Sequence, residues 1–141
     1  EETMSTLQTQ HRLIPAALDS VCHQTADLLE AMAQLSGKLI GYTVRLERGD
    51  WPFPVFTMAE KVKFRRFVRP GDLVTLRCSF LALRDESAVM KVESSVDGRR
   101  VAQAEETFVF NAVPFEKPED SLEVERLERL ALRTLWAECP D

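Results

Sequence analysis

The 141 residues are 45% hydrophobic and 29% charged, a balance that fits one globular domain with a buried core and excludes disorder. A net charge of −5 argues against nucleic acid as a partner, and no apolar run approaches the roughly 18 residues of a membrane helix. Cys22, Cys78 and Cys139 are odd in number and far apart, and Glu1-Glu2-Thr3-Met4 lacks the start of a secretory signal, so reduced thiols, no metal site and a cytoplasmic location are expected.

Residues 1–21 are read as an N-terminal segment. A helix is predicted from about Thr25 to Ser36, within 22–37 at its widest. Thr25 would be its N-cap, Asp27 would complement its positive end, and Gly37 would end it. Ala26, Leu28, Leu29, Ala31, Met32, Ala33 and Leu35 make it apolar nearly all round, the pattern of a buried helix. Leu39 to Glu47 is predicted to be a strand that opens a sheet over 38–113. The prolines of Gly49-Asp50-Trp51-Pro52-Phe53-Pro54 mark a loop.

Four further strands are predicted, from Val55 to Val68, Leu73 to Leu83, Ala88 to Val96 and Val101 to Val109. Their inward faces would carry Val62, Phe64 and Val68, then Val74, Leu76, Cys78, Phe80 and Ala82. The last two strands would add Ala88, Met90, Val92 and Val96, and then Ala102, Ala104, Phe108 and Phe110. Pro70-Gly71 and Asp97-Gly98 supply turns, the second being a strong hairpin signal. Such an antiparallel meander has one face to cover, and the apolar helix is the expected cover. A last helix over 118–138 begins at Pro118, with Asp120 and Glu123 as a capping box. Leu122, Leu127, Leu130, Ala131, Leu135 and Trp136 would form its apolar stripe, packed on the sheet or serving as a lid or partner-contact helix.

Asp27, Glu30 and Gln34 fall at i, i+3 and i+7 and share a helix face. A carboxylate on a buried helix costs several kcal/mol unless it is paired or protonated. Glu30 is therefore either a general acid/base tuned by desolvation or half of an interface ion pair. Gln34, one turn on, can hold Glu30 or a substrate oxygen. His23 is the histidine nearest to Glu30 in sequence, either a base or a structural residue, and His11 reads as structural or exposed. Lys61, Lys63 and Arg65 share a strand face with Arg66 and Arg69 nearby, either a solvated surface or an anion-attracting patch.

Glu30-Ala31-Met32-Ala33-Gln34 resembles the central-helix motif of the FabZ-like (3R)-3-hydroxyacyl-acyl-carrier-protein dehydratases of the hot-dog superfamily. The run from Val62 to Asp72, with its Pro-Gly-Asp turn, and Val96-Asp97-Gly98 through Glu105 resemble later family segments in the same order. His11-Arg12 through Asp19-Ser20-Val21 is similar to the family's opening. The resemblance covers about residues 11 to 112. It implies an α+β hot-dog fold, a curved antiparallel sheet wrapped around a central helix, here with an additional C-terminal helix.

It also implies a site in which Glu30 protonates a departing hydroxyl while a histidine of a second subunit removes the proton α to a thioester. The substrate would ride on the phosphopantetheine of acyl carrier protein or coenzyme A, with no metal or redox cofactor. Lys63, Arg65, Arg66 and Arg69 would meet the acidic carrier. A homodimer or higher oligomer is expected, or a heterodimer. A hot-dog thioesterase, in which Glu30 activates water or attacks the thioester, and a non-catalytic subunit are the alternatives.

The departures from the family are local. Its His-Phe-Pro-Gly loop and Met-Pro-Gly helix start have no match, and Cys22-His23-Gln24-Thr25 stands there instead. The family also places two strands between the Asp-x-Val segment and the helix. Either they are lost, or residues are missing between Val21 and Cys22. The second is favoured because losing two strands would uncover the helix, and an intact mass well above 16.1 kDa would then be expected.

Overall fold

A computed structural model describes residues 6–12, 21–111 and 116–135, and within these the side chains of 6–12, 21–23, 118 and 135 are not described. In chain order the elements are β1 (Thr6–Arg12), α1 (Val21–Arg48), β2 (Pro54–Phe64), β3 (Leu73–Leu83), β4 (Ser87–Val96), β5 (Arg99–Phe110) and α2 (Pro118–Leu135). The five strands form one antiparallel sheet in the order β1-β3-β4-β5-β2, which leaves β1 and β2 at its edges.

The turns obey their sequences. Asp97 and Gly98 both take positive φ, 52° and 76°, as a tight two-residue hairpin requires. Gly71 follows Pro70 with φ 91°, and the turn is closed by Asp72 N–H to Arg69 C=O at 3.0 Å and Arg69 N–H to the Asp72 carboxylate at 2.7 Å. The predicted inward positions of β3 and β4 are buried from Val74 to Cys78 and from Ala88 to Val92. Together with Leu28, Met32, Leu35, Leu39, Ile40 and Val44 of α1 they form the core.

Three expectations about the helix are corrected. It spans 21–48 rather than 22–37, and Leu39–Glu47 is helix rather than strand, so the sheet does not begin at 38. Gly37 does not stop it. A helical glycine costs about 1 kcal/mol, and burial of Leu39, Ile40 and Val44, each 2% exposed or less, outweighs that. The real stop is Gly49, with φ 81° and its N–H bonded to Arg45 C=O at 3.0 Å. Thr25 and Asp27 consequently lie past the first turn, neither N-cap nor dipole partner.

The helix is also amphipathic, not buried all round. Ala26, Asp27, Glu30 and Gln34 are exposed, while Leu28, Met32 and Leu35 are 1–3% exposed. That face is covered by the five strands, and α1 runs unbroken through Val21 and Cys22.

The remaining differences concern the edges. β2 ends at Phe64 rather than Val68, and two register shifts against β5, with Lys61 at φ 51°, break its alternation. Val62 and Phe64 are consequently 37% and 39% exposed rather than inward. β1 was not expected, because Thr6-Leu7-Gln8-Thr9-Gln10 has no apolar alternation; its partner β3 supplies the ladder. α2 starts at Pro118 as predicted, but Glu123 bonds Arg126 at 2.8 Å rather than closing a capping box. Leu122, Leu127 and Leu130 are exposed, and α2 packs on α1 and the loop after it through Leu132 against Tyr42 and Trp51. Trp136, Cys139 and residues 13–20 fall outside the described residues.

Candidate functional site

Glu30 and Gln34 stand one turn apart on α1, and the Gln34 side-chain amide donates to Glu30 Oε1 at 2.7 Å. Both are exposed in the single chain, so Glu30 is not the desolvated carboxylate that an all-round apolar helix predicts. The two residues are part of the lining of a cavity of about 410 Å³. Along α1 the cavity is also lined by Ala33, Gly37, Lys38 and Gly41. Trp51, Phe53, Pro54, Phe56 and Phe108 make the opposite wall, with Val124 and Glu128 of α2 alongside.

The glycines shape this cavity. A Cβ on Gly41 would stand 3.2 Å from Trp51 Cζ3, so the indole lies directly on the helix backbone. Phe56 and Phe108 are cross-strand partners whose rings are 5.5 Å apart and tilted by 34°. Lys38 Nζ and Glu128 Oε2, at 2.6 Å, tie α2 to α1 beside the cavity.

The buried carboxyl of this region is Glu106, which sequence reasoning missed. It is 0% exposed, and neither of its oxygens has a hydrogen-bond partner. Burial, and secondarily the negative charge of Glu30, push its pKa up from 4.5 to about 8. A signal was present. Glu106 occupies the inward position between Ala104 and Phe108, where strict alternation leaves it no other direction.

Lys63, Arg65, Arg66 and Arg69 are all exposed. Arg65 reaches Gln103 at 3.2 Å, and its N–H bonds Val101 C=O at 2.7 Å. Lys61 pairs with Glu105 at 3.2 Å. The segment after β2 is fastened to α1 by Gln24, a residue the sequence did not single out. Its amide donates to Val68 C=O and accepts from Val68 N–H at 3.0 Å. Gln24 lies six residues, about 9 Å of helix, before Glu30. His23 is on α1 seven residues before Glu30, but its side chain lies outside the described residues, as does that of His11 in β1. Among the described residues no group of three or more His, Cys, Asp or Glu could hold a metal ion, and no helix is long and apolar enough to cross a membrane.

Comparison with known proteins places this geometry. The chain is 36% identical over 81 residues to the 3-hydroxyacyl-[acyl-carrier-protein] dehydratase FabZ of Chlamydia pneumoniae, 57% of this chain and 52% of that protein. It is 39% identical over 83 residues to FabZ of Syntrophotalea carbinolica, 59% of this chain and 55% of that protein. The chain thus spans about half the length of the curated relatives it matches.

Among solved structures, a hot-dog-like protein of Thermanaerovibrio acidaminovorans superposes with a TM-score of 0.61 at 20% identity, covering 88% of this chain and 89% of that one. The dehydratase heterocomplex ApeI:P of Xenorhabdus doucetiae gives 0.62 at 13% identity over 86% and 81%. A hypothetical thioesterase of Streptococcus pneumoniae, solved with coenzyme A, gives 0.61 at 15% over 76% and 82%. The fold is the hot-dog fold. The sequence model of the FabA-like domain matches residues 27–105, more than half of the chain, and the chain belongs to the FabA-like family.

Proposed function

We propose that this chain dehydrates 3-hydroxyacyl thioesters carried by acyl carrier protein or coenzyme A, releasing water and the trans-2-enoyl thioester. The observation that carries the reading is the bond from Gln34 to Glu30 in the lining of a largely apolar cavity, on the helix that the family match covers. The reaction breaks the C2–H and C3–O bonds and forms C2=C3. It needs one group to take the α-proton and one to give a proton to the departing hydroxyl, and no electron acceptor or metal. Glu30 is the acid, Gln34 holds its carboxyl towards the substrate, and the cavity along α1 receives the acyl chain. His23, or a group from a second subunit, is the base.

Lys63, Arg65, Arg66 and Arg69 offer positive charge to an acidic carrier and to the phosphate of its arm. A second copy is supported by β2, an open sheet edge on which Val55, Phe56, Met58, Val62 and Phe64 are 36–46% exposed. Reaction and carriers of this kind belong in the cytoplasm.

The test is to give the purified chain 3-hydroxyacyl-coenzyme A and the matching acyl carrier protein thioester. Enoyl product is expected, with Glu30→Gln lowering kcat by about 100-fold or more. Free thiol without enoyl product would instead identify a thioesterase. Substrate binding with neither product would identify a non-catalytic subunit.

A further inference from the structure

Glu30, Gln34 and Lys38 fall at i, i+4 and i+8 on α1 and so stand in one row along the helix. All three line the cavity, and Lys38 lies about 12 Å of helix beyond Glu30. Beside this row Gly37 leaves the helix surface bare, since a Cβ there would find only Pro54 Cγ at 4.0 Å.

The partner of Lys38 comes from α2. Lys38 Nζ donates to Glu128 Oε2 at 2.6 Å, with the two side chains 15% and 36% exposed. Val124, one turn before Glu128, lines the same cavity. The whole of α2 lies beyond residues 27–105, which match the FabA-like domain, so this wall is an addition to that domain. An ion pair partly in solvent adds little to the fastening of a helix, and Leu132 against Tyr42 and Trp51 already anchors α2. The pair is instead notable for where it stands, in the lining of a largely apolar cavity.

We propose that α2 sets the length of acyl chain the cavity accepts, with Val124 and the Lys38–Glu128 pair as the specificity-determining groups. The proposal rests on the acyl-thioester reading of the site. With the C3 hydroxyl at Glu30, an acyl chain extended beside α1 covers about 12 Å before it meets the pair, the span of roughly eight to ten methylenes. Up to that point each methylene gains by burial against the aromatic wall of Trp51, Phe56 and Phe108. Beyond it, the acyl chain must strip water from an ammonium and a carboxylate whose remaining donors and lone pairs it cannot satisfy. The site therefore takes acyl chains of medium length and rejects long ones.

Binding tests the wall without turnover. S-alkyl thioethers of coenzyme A, of about four to sixteen carbons, can be neither dehydrated nor hydrolysed, and their affinity for the intact protein should climb about fourfold per methylene and then break at one length. Val124→Phe, which thickens the wall, should move the break to shorter thioethers. Val124→Ala should move it to longer ones. So should Lys38→Met combined with Glu128→Leu, which keeps the bulk of the pair without its charge. The shortest thioethers should bind all three variants as they bind the native protein, which a general loosening of α2 would not allow. No break across the series, or a break that stays at the native length in the variants, would overturn the proposal.

In the dehydratase assay, the longest 3-hydroxyacyl-coenzyme A turned over should shift in the same directions. A break that moves as expected in a protein that yields no enoyl product would support the wall while removing the reaction assigned to the site. Enoyl product with a break that does not move would keep the reaction and overturn the wall.

Discussion

Between pH 4.5 and 8 the folded chain holds a proton on Glu106 that an unfolded chain releases, because burial and the charge of Glu30 raise the carboxyl to about 8. The folded state binds more protons in that window, so stability is full below about 4.5 and falls as pH rises through 8. The slope is roughly 1.4 kcal/mol per pH unit. Glu106→Leu removes the titrating group from a site that already holds Ala104, Phe108 and Met90. Urea unfolding at pH 5, 6, 7 and 8 should show the native chain losing stability across the series and the variant holding level, more stable than native at pH 8. Parallel curves would show that Glu106 is not buried as described.

Legibility at this scale was uneven. Glu30 and Gln34 were found by their helical spacing, and their hydrogen bond is present. Glu106 was overlooked because a charged residue inside an apolar alternation reads as an interruption of the pattern, when the period of two still fixes its direction. Gln24 carried no signal at all. Its clamp on Val68 joins residues 44 apart, and such a partner is not encoded by local spacing.

At the scale of elements, α1 shows how tertiary burial overrides a local stop. The reading that ended it at Gly37 used the right rule for the wrong glycine; Gly49 has the left-handed backbone, and Gly37 and Gly41 do not. The two helical glycines are not equivalent. A Cβ at Gly37 would find only Pro54 Cγ at 4.0 Å, whereas one at Gly41 would meet Trp51 at 3.2 Å. Gly37→Ala should therefore stabilise the chain by about 0.5–1 kcal/mol, the usual helical gain. Gly41→Ala should gain nothing or lose stability, because the indole, pinned by Tyr42 and Leu132, must move. Denaturation midpoints of the two variants compare the effects directly. Equal gains would mean that Trp51 does not rest on Gly41.

Over the whole molecule, the meander was the most legible part, since Pro70-Gly71 and Asp97-Gly98 dictate where β3, β4 and β5 turn. The edges were not legible, because an edge strand lacks the second neighbour that enforces strict alternation. Among the described residues β2 has β5 on one side and no strand on the other, and its exposed Val62 and Phe64 carry an apolar surface that a lone chain gains nothing by showing. If two copies meet along this edge, the second covers those side chains and pairs the open backbone groups. It also brings its own residues towards the β2 wall of the cavity, where Val55 and Phe56 lie. Charged side chains on an edge oppose such pairing. If the copies meet there, the native protein should sediment at twice the 16.1 kDa of one chain and the double variant Val62→Lys, Phe64→Lys at that single-chain mass. It should keep its far-ultraviolet dichroism, because both positions are already solvated in the single chain. If activity needs the base from a second subunit, kcat should fall with the dimer. A native protein that sediments as a single chain and remains fully active would place the base within this chain and leave His23 as the group to test.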